Sequence, residues 1–139
     1  GNNGTPTGTT FVQGKLGKAR SFNGTSSDFI EIPNSSSLTI SGNVTVDAWA
    51  KFSSNAERFF VSKGSLLEYG ISWYLYQSGT GNLGFLRSYG NGSNVNAKYV
   101  TSANTIGDNQ WHHLVGSDDG TNLKVYVAGY YRDQPPFRV

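Results

Sequence analysis

Several aromatic residues close to hydrogen-bonding side chains are the part of this sequence best suited to chemistry. Sugars present C–H faces that stack on aromatic rings and hydroxyl groups that need directed hydrogen bonds. The pattern therefore predicts a carbohydrate-binding surface. Its candidate residues are Tyr74, Tyr76, Arg87, Trp49 and His112, with Tyr89 and Tyr99 on neighbouring strands. The competing interpretation is core packing, which is favoured for Trp49 and evenly balanced for Tyr74 and Tyr76.

The two adjacent histidines must point to opposite sides of one predicted strand. His113 shares its side with Trp111 and Val115, so we expect it in the interior. His112 is expected to be the more exposed of the two, although it shares its side with Leu114. A ligand contact is a hypothesis for His112, and a position away from ligand is the favoured alternative.

Catalytic constellations are not found in the sequence. The three glutamates are Glu31, Glu57 and Glu68, and only Glu31 has a nearby acid, Asp28, three residues before it. Residues i and i+3 on a strand point to opposite faces, so this pair cannot act on one glycosidic bond. No Gly-x-Ser-x-Gly elbow occurs, and the absence of cysteine excludes thiol nucleophiles. We therefore predict that the protein is not an enzyme.

Calcium is the one cofactor that the sequence leaves open. This ion takes roughly six to eight oxygen ligands from carboxylates, amide carbonyls and loop backbone. Residues 23–28 offer such oxygens, with Asp28 as the carboxylate. The alternative is a hydrogen-bonded hairpin loop without a metal, and this alternative is favoured.

The composition indicates an all-β domain. The 139 residues include 18 Gly, 13 Asn, 17 Ser and 11 Thr, whereas helix-forming residues are scarce. An aromatic content of 14% is too high for a disordered chain. The net charge of +2 gives no electrostatic argument for nucleic acid. No apolar run approaches the roughly 20 residues of a membrane span, and no signal peptide opens the chain.

Alternating apolar and polar residues predict the strands. We place them near 9–12, 18–23, 28–33, 43–52, 57–63, 69–77, 82–89, 97–101, 111–117 and 122–128. The clearest is 43–52, where Val44, Val46 and Ala48 share one face. One apolar and one mixed face per strand is typical of two packed antiparallel sheets. We predict one domain at residues 1–129, followed by an atypical tail at residues 130–139.

Several segments, in order along the chain, resemble those of a known family. Residues 14–24 and 28–33 resemble the opening of a laminin G-like domain of the concanavalin A-like lectin/glucanase superfamily. Residues 44–49 and 60–64 resemble two of its strands, and the sequences WHHLV at 111–115 and LKVYVAG at 123–129 resemble its later strands. The resemblance implies an antiparallel jelly-roll β-sandwich. Members usually continue through closing strands, which residues 130–139 do not match.

The resemblance also implies a role. It indicates a non-catalytic recognition module from an extracellular, cell-surface or virion protein, binding carbohydrate through its concave sheet or rim loops. The alternative is a structural or protein-interaction domain without a sugar site. Many domains of this superfold hold calcium near the loop at 23–28, with an acidic partner from the closing strands. Uncovered strand edges would accept a strand from a partner or a second copy, so a homodimer is predicted as well.

Overall fold

The structure, a computed structural model, describes residues 1–64, 72–91 and 94–129. Within these ranges the regular structure consists of antiparallel strands and one 3-10 turn at Ser36–Leu38, which confirms the predicted all-β class. The strands are β1 (Thr5–Thr7), β2 (Thr10–Gln13), β3 (Lys18–Ser21), β4 (Phe29–Glu31), β5 (Val44–Lys51), β6 (Arg58–Lys63), β7 (Ser72–Gln77), β8 (Asn82–Asn91), β9 (Asn94–Thr105), β10 (Trp111–Asp118) and β11 (Leu123–Gly129).

The first compact unit comprises residues 1–39. Here β1 pairs with β4, and β2 pairs with β3 through a hairpin whose Gly17 has a φ of 65°. Strand β1 was not predicted, because Pro6 interrupts its short Thr-Pro-Thr sequence and argues against a strand.

The second unit begins at Ile40 and holds two sheets. One sheet has the order β11-β10-β5, and the other has the order β6-β7-β8-β9. The central strand β10 brings Leu114 opposite Ala48 on β5 and opposite Val127 on β11. Both sheets are antiparallel throughout, as the alternation of apolar residues predicts.

The core of this second unit lies between its two sheets. Its buried apolar residues are Val44, Trp73, Leu75, Leu83, Phe85, Ile106, Leu114 and Val125. The predicted inward faces of residues 43–52 and 122–128 are confirmed, because Val46, Ala48, Leu123 and Val127 pack against this cluster. Each sheet therefore has one face in the core and one outer face.

Gly116 on β10 sets the spacing between the sheets at its position. A side-chain carbon added there would overlap the Phe85 ring on β8. Because Phe85 is fully buried, its ring occupies the space that a larger residue at position 116 would need.

Candidate functional site

The predicted ligand-binding residues occupy three different places in the fold. Tyr74 and Tyr76 lie on the outer face of the four-stranded sheet, and Trp49 lies on the outer face of the three-stranded sheet. Arg87 and His112 are buried. The structure therefore does not bring the five together into one surface.

Strand β7 places Tyr76 on the outer face, because Trp73, Leu75 and Gln77 take the core face. Tyr76 pairs with Gly84 on β8. Its ring leans across that strand and covers Gly84, since a side-chain carbon at Gly84 would overlap the ring. A glycine at this position is what allows the ring to lie against the sheet rather than stand away from it.

Two more rings flank Tyr76. Phe59 on β6 lies opposite Tyr76, with the ring centroids 6.0 Å apart, and remains 53% exposed. Tyr99 on β9 is 71% exposed and lies near enough to affect the ionisation of Tyr76. Burial, then the charge of Glu57 and the neighbouring Tyr99, raises the pKa of Tyr76, so its hydroxyl stays neutral and can donate. We call these four residues, Glu57, Phe59, Tyr76 and Tyr99, the Tyr76 surface.

Tyr74 packs against Phe59 of this surface. It is buried, and its hydroxyl donates a hydrogen bond of 2.9 Å to the Gly64 carbonyl. The Phe59 ring packs on it at 5.5 Å between centroids with a tilt of 60°. Its role is therefore to hold Phe59 in place. The side chain of Tyr89, the other candidate on this sheet, lies outside the described residues.

The prediction that Arg87 lies on a ligand-binding surface is wrong, because its side chain is buried. It is fully buried on the core face of β8, with Nε 3.4 Å from Asp118 Oδ2. Its Nη2 donates to the carbonyls of Ile40 at 2.6 Å and Gly42 at 3.1 Å. The guanidinium therefore joins strand β8 to β10 and to the segment before β5, and it does not reach either outer face.

The relative exposure of the two histidines is the reverse of the expectation. His112 is only 5% exposed, and its Nε2 lies 2.7 Å from Asp108 Oδ1. Burial acts to raise the pKa of Asp108, but hydrogen bonds from His112 and from the Gln110 N–H lower it overall. His113 points outward instead of into the core. A surface ligand contact for His112 does not fit this position.

Trp49 was expected in the core, and the structure places it outside. It is 40% exposed and stacks on the His113 ring, with centroids 5.3 Å apart and planes 21° apart. His113 Nε2 lies 3.0 Å from Asp47 Oδ1, so the imidazole is held between the indole and a carboxylate. These residues lie on the opposite sheet from the Tyr76 surface.

Asp28 has the contacts of a turn residue. Its Oδ2 accepts the Asn23 N–H at 2.6 Å, and its Oδ1 lies against Gly8. In the described ranges, three or more acidic or histidine side chains never gather where they could hold a metal. These contacts are those of a hydrogen-bonded turn, and the calcium site at Asp28 stays a prediction.

Loss of the Asp28 carboxylate is expected to weaken this turn. The variant Asp28→Ala removes the acceptor for the Asn23 N–H and should cost about 1 kcal/mol of unfolding free energy. Urea denaturation measures this change. If the turn holds no metal, a chelator should leave the melting temperature of the unchanged protein where it is, and a fall of several degrees in chelator would support the calcium prediction.

Sequence patterns could have identified part of this arrangement. Leu83, Phe85 and Arg87 lie two residues apart, so alternation alone puts Arg87 on the core face of β8. Phe59 and Gly84 were missed, because their contact with Tyr76 depends on strand register. A register shift between Phe59 and Val61 further hides that pairing from any periodic pattern.

The comparison with family models covers most of the chain. A model described as the concanavalin A-like lectin/glucanases superfamily, of the laminin G type, matches residues 22–137. The match runs beyond Gly129 into the segment predicted to be a tail, whose boundary stays a prediction and whose residues lie outside the described ranges. Comparisons with curated proteins and with solved structures found no match. Among the described residues, no helix has the length and apolar character needed to cross a membrane.

Proposed function

Because this chain belongs to the laminin G-like family of the concanavalin A-like lectin/glucanase superfamily, we propose that it binds carbohydrate on the Tyr76 surface without catalysing a reaction. The family indicates a binding module rather than an enzyme. The finer assignment to carbohydrate depends on the residues of one sheet face.

The observation that carries the proposal is the Tyr76 ring lying across Gly84. A ring held against a sheet offers its free face to the C–H face of a pyranose. Phe59 and Tyr99 extend the apolar area on either side, since both are largely exposed. Three rings on strands β6, β7 and β9 of one sheet suit a saccharide of more than one residue.

Hydrogen-bonding groups at the edge of these rings can fix the orientation of a bound sugar. The neutral Tyr76 hydroxyl can donate to a sugar oxygen, and the exposed Glu57 carboxylate can accept from a sugar hydroxyl. A shallow surface of this kind gives dissociation constants of roughly micromolar to millimolar, about −4 to −8 kcal/mol. An extracellular or cell-surface location accompanies the proposal, in keeping with common laminin G-like domains.

Removing the Tyr76 ring should abolish most of this binding. On an array of immobilised oligosaccharides, Tyr76→Ala should weaken the signal about tenfold or more, because the central stacking ring is lost. Tyr76→Phe keeps the ring and should retain most of the binding. Phe22→Ala, which removes an exposed ring outside this surface, is the matched control. Equal signals for Tyr76→Ala and the unchanged protein would contradict the assignment of this surface.

A structural or protein-interaction role is the second candidate. It is favoured by the same exposed rings, because Phe59 and Tyr99 present apolar area on one sheet that a protein partner or second copy can cover. A blank array together with a mass that doubles with concentration in light scattering would favour this role, including the predicted homodimer. A monomer at high concentration would exclude the homodimer.

A further inference from the structure

The outer face of the three-stranded sheet carries a second aromatic centre. Alternation along β5 turns Thr45, Asp47 and Trp49 outward, because Val46, Ala48 and Ala50 pack toward the core. Trp49 lies directly opposite His113 on β10, and the two rings stack. The indole is thereby held in one orientation while 40% of its surface stays accessible.

The polar groups beside Trp49 are oriented by one another. His113 Nε2 lies 3.0 Å from Asp47 Oδ1, and this contact together with the stacking on Trp49 fixes the orientation of the imidazole. The Asp47 side chain remains 60% exposed, which leaves its oxygens accessible to hydroxyl groups. An exposed ring with an imidazole and a carboxylate beside it offers a stacking face and hydrogen-bonding groups, the combination that recognises a sugar.

The neighbouring row of the same face continues this surface. Val115 on β10 lies between Asp47 on β5 and Tyr126 on β11, and Tyr126 is exposed. The row beyond is polar, with the hydroxyls of Thr45 and Ser117 3.1 Å apart. The face is therefore apolar and aromatic at its centre and polar at its edge.

The two outer faces point in opposite directions. The core of the second unit lies between the sheets, and packed sheets are about 10 Å apart. A saccharide lying on the Tyr76 surface therefore cannot also stack on Trp49 of the same molecule. Two sites in this arrangement would bind two separate glycan chains.

We propose that Trp49, His113 and Asp47 form a second, independent carbohydrate-binding site and that one copy of the chain is bivalent. The ligand class follows the proposed function, but the location of the site does not depend on the Tyr76 surface. A bivalent module links two glycan chains, which gives it a cross-linking activity that a single site lacks.

The test uses the full chain with the oligosaccharide that gives the strongest array signal. This oligosaccharide is added in soluble form while backbone amide shifts are recorded by NMR. Two separate sets of shifted amides are expected, one around β5 and β10 and one around β7 and β8. Trp49→Ala should remove the first set only, and Tyr76→Ala the second set only. Phe22→Ala should keep both, and circular dichroism of each variant confirms that it is folded.

Cross-linking is measured with the same oligosaccharide attached in many copies to polyacrylamide. The unchanged protein should precipitate this polymer, whereas Trp49→Ala and Tyr76→Ala should each bind it without precipitation. Light scattering of the free protein separates this result from a dimer, since a dimer with one site per chain also precipitates the polymer. The precipitation result supports the proposal only for a protein that is monomeric at the concentration used.

The outcomes separate this proposal from the proposed function. Shifts confined to β7 and β8, unaffected by Trp49→Ala, overturn the second site and leave the Tyr76 surface intact. Shifts confined to β5 and β10 overturn bivalence and the function proposed for the Tyr76 surface, while keeping a Trp49 site. A blank array for the unchanged protein overturns both proposals.

Discussion

Replacing Arg87 with alanine is expected to lower the unfolding free energy by about 3–5 kcal/mol. The substitution leaves the buried Asp118 carboxylate without the guanidinium that lies 3.4 Å from it. It also leaves the carbonyls of Ile40 and Gly42 without their donor. A buried charge without its partner cannot regain the hydrogen bonds that water offers the unfolded chain. Urea denaturation followed by tryptophan fluorescence measures the loss.

A double variant separates the lost pair from lost packing. Arg87→Met combined with Asp118→Leu removes both charges and keeps apolar volume, so it should recover a large part of the stability lost in Arg87→Ala. Lys124→Ala breaks the exposed contact between Lys124 and Asp119 and should leave the denaturation midpoint unchanged. A midpoint for Arg87→Ala equal to that of Lys124→Ala would show that the buried pair does not stabilise the fold.

The strands could be predicted from the sequence because most of their inward residues are apolar. In β5, Val44, Val46 and Ala48 recur at every second position, and the face they predict is the face that packs. Strand ends could be placed only to within a few residues: β9 runs from Asn94 to Thr105 where 97–101 was predicted. The polar residues at its ends pair with β8, and such pairing gives no signal in hydrophobicity.

Strand β10 shows why the site was harder to predict than the fold. Its buried face consists of His112, Leu114, Gly116 and Asp118, which has the composition of a solvent-facing surface. Three of these residues lie inside for separate reasons: His112 contacts Asp108, Asp118 contacts Arg87, and Gly116 makes room for Phe85. Each reason involves a residue outside β10, so composition along β10 alone assigned its two faces in reverse.

The candidate surfaces depend on pairings across strands in the same way. Alternation with the apolar residue Leu75 predicted that Tyr76 lies on the outer face. The residue that its ring covers, Gly84, lies on another strand, so alternation along β7 could not identify it. Trp49 was placed in the core because it occupies a scaffold position in the family that the chain resembles. Its exposure follows from the smaller residues Ala48 and Ala50, which occupy the core face of β5.

Adding one methyl group at Gly116 is expected to lower the unfolding free energy by about 3 kcal/mol, near the upper end of typical overpacking. The added carbon of Gly116→Ala would overlap the ring of Phe85, which is fully buried in a densely packed core. The neighbouring strands are fixed by their pairing, with Gly116 opposite Val46 and Val125. The ring and β10 must therefore separate, and nearby core contacts are lost.

The partner substitution tests whether this overlap is the cause. Phe85→Leu alone should destabilise the protein, because it leaves space in the core. In combination with Gly116→Ala, the smaller side chain accommodates the added methyl, so the double variant should be more stable than the sum of the two single losses predicts. Ser117→Ala, one residue along β10 on the outer face, should change the unfolding free energy little. Strictly additive losses for Gly116→Ala and Phe85→Leu would mean that the cost arises in the β10 backbone rather than against the Phe85 ring.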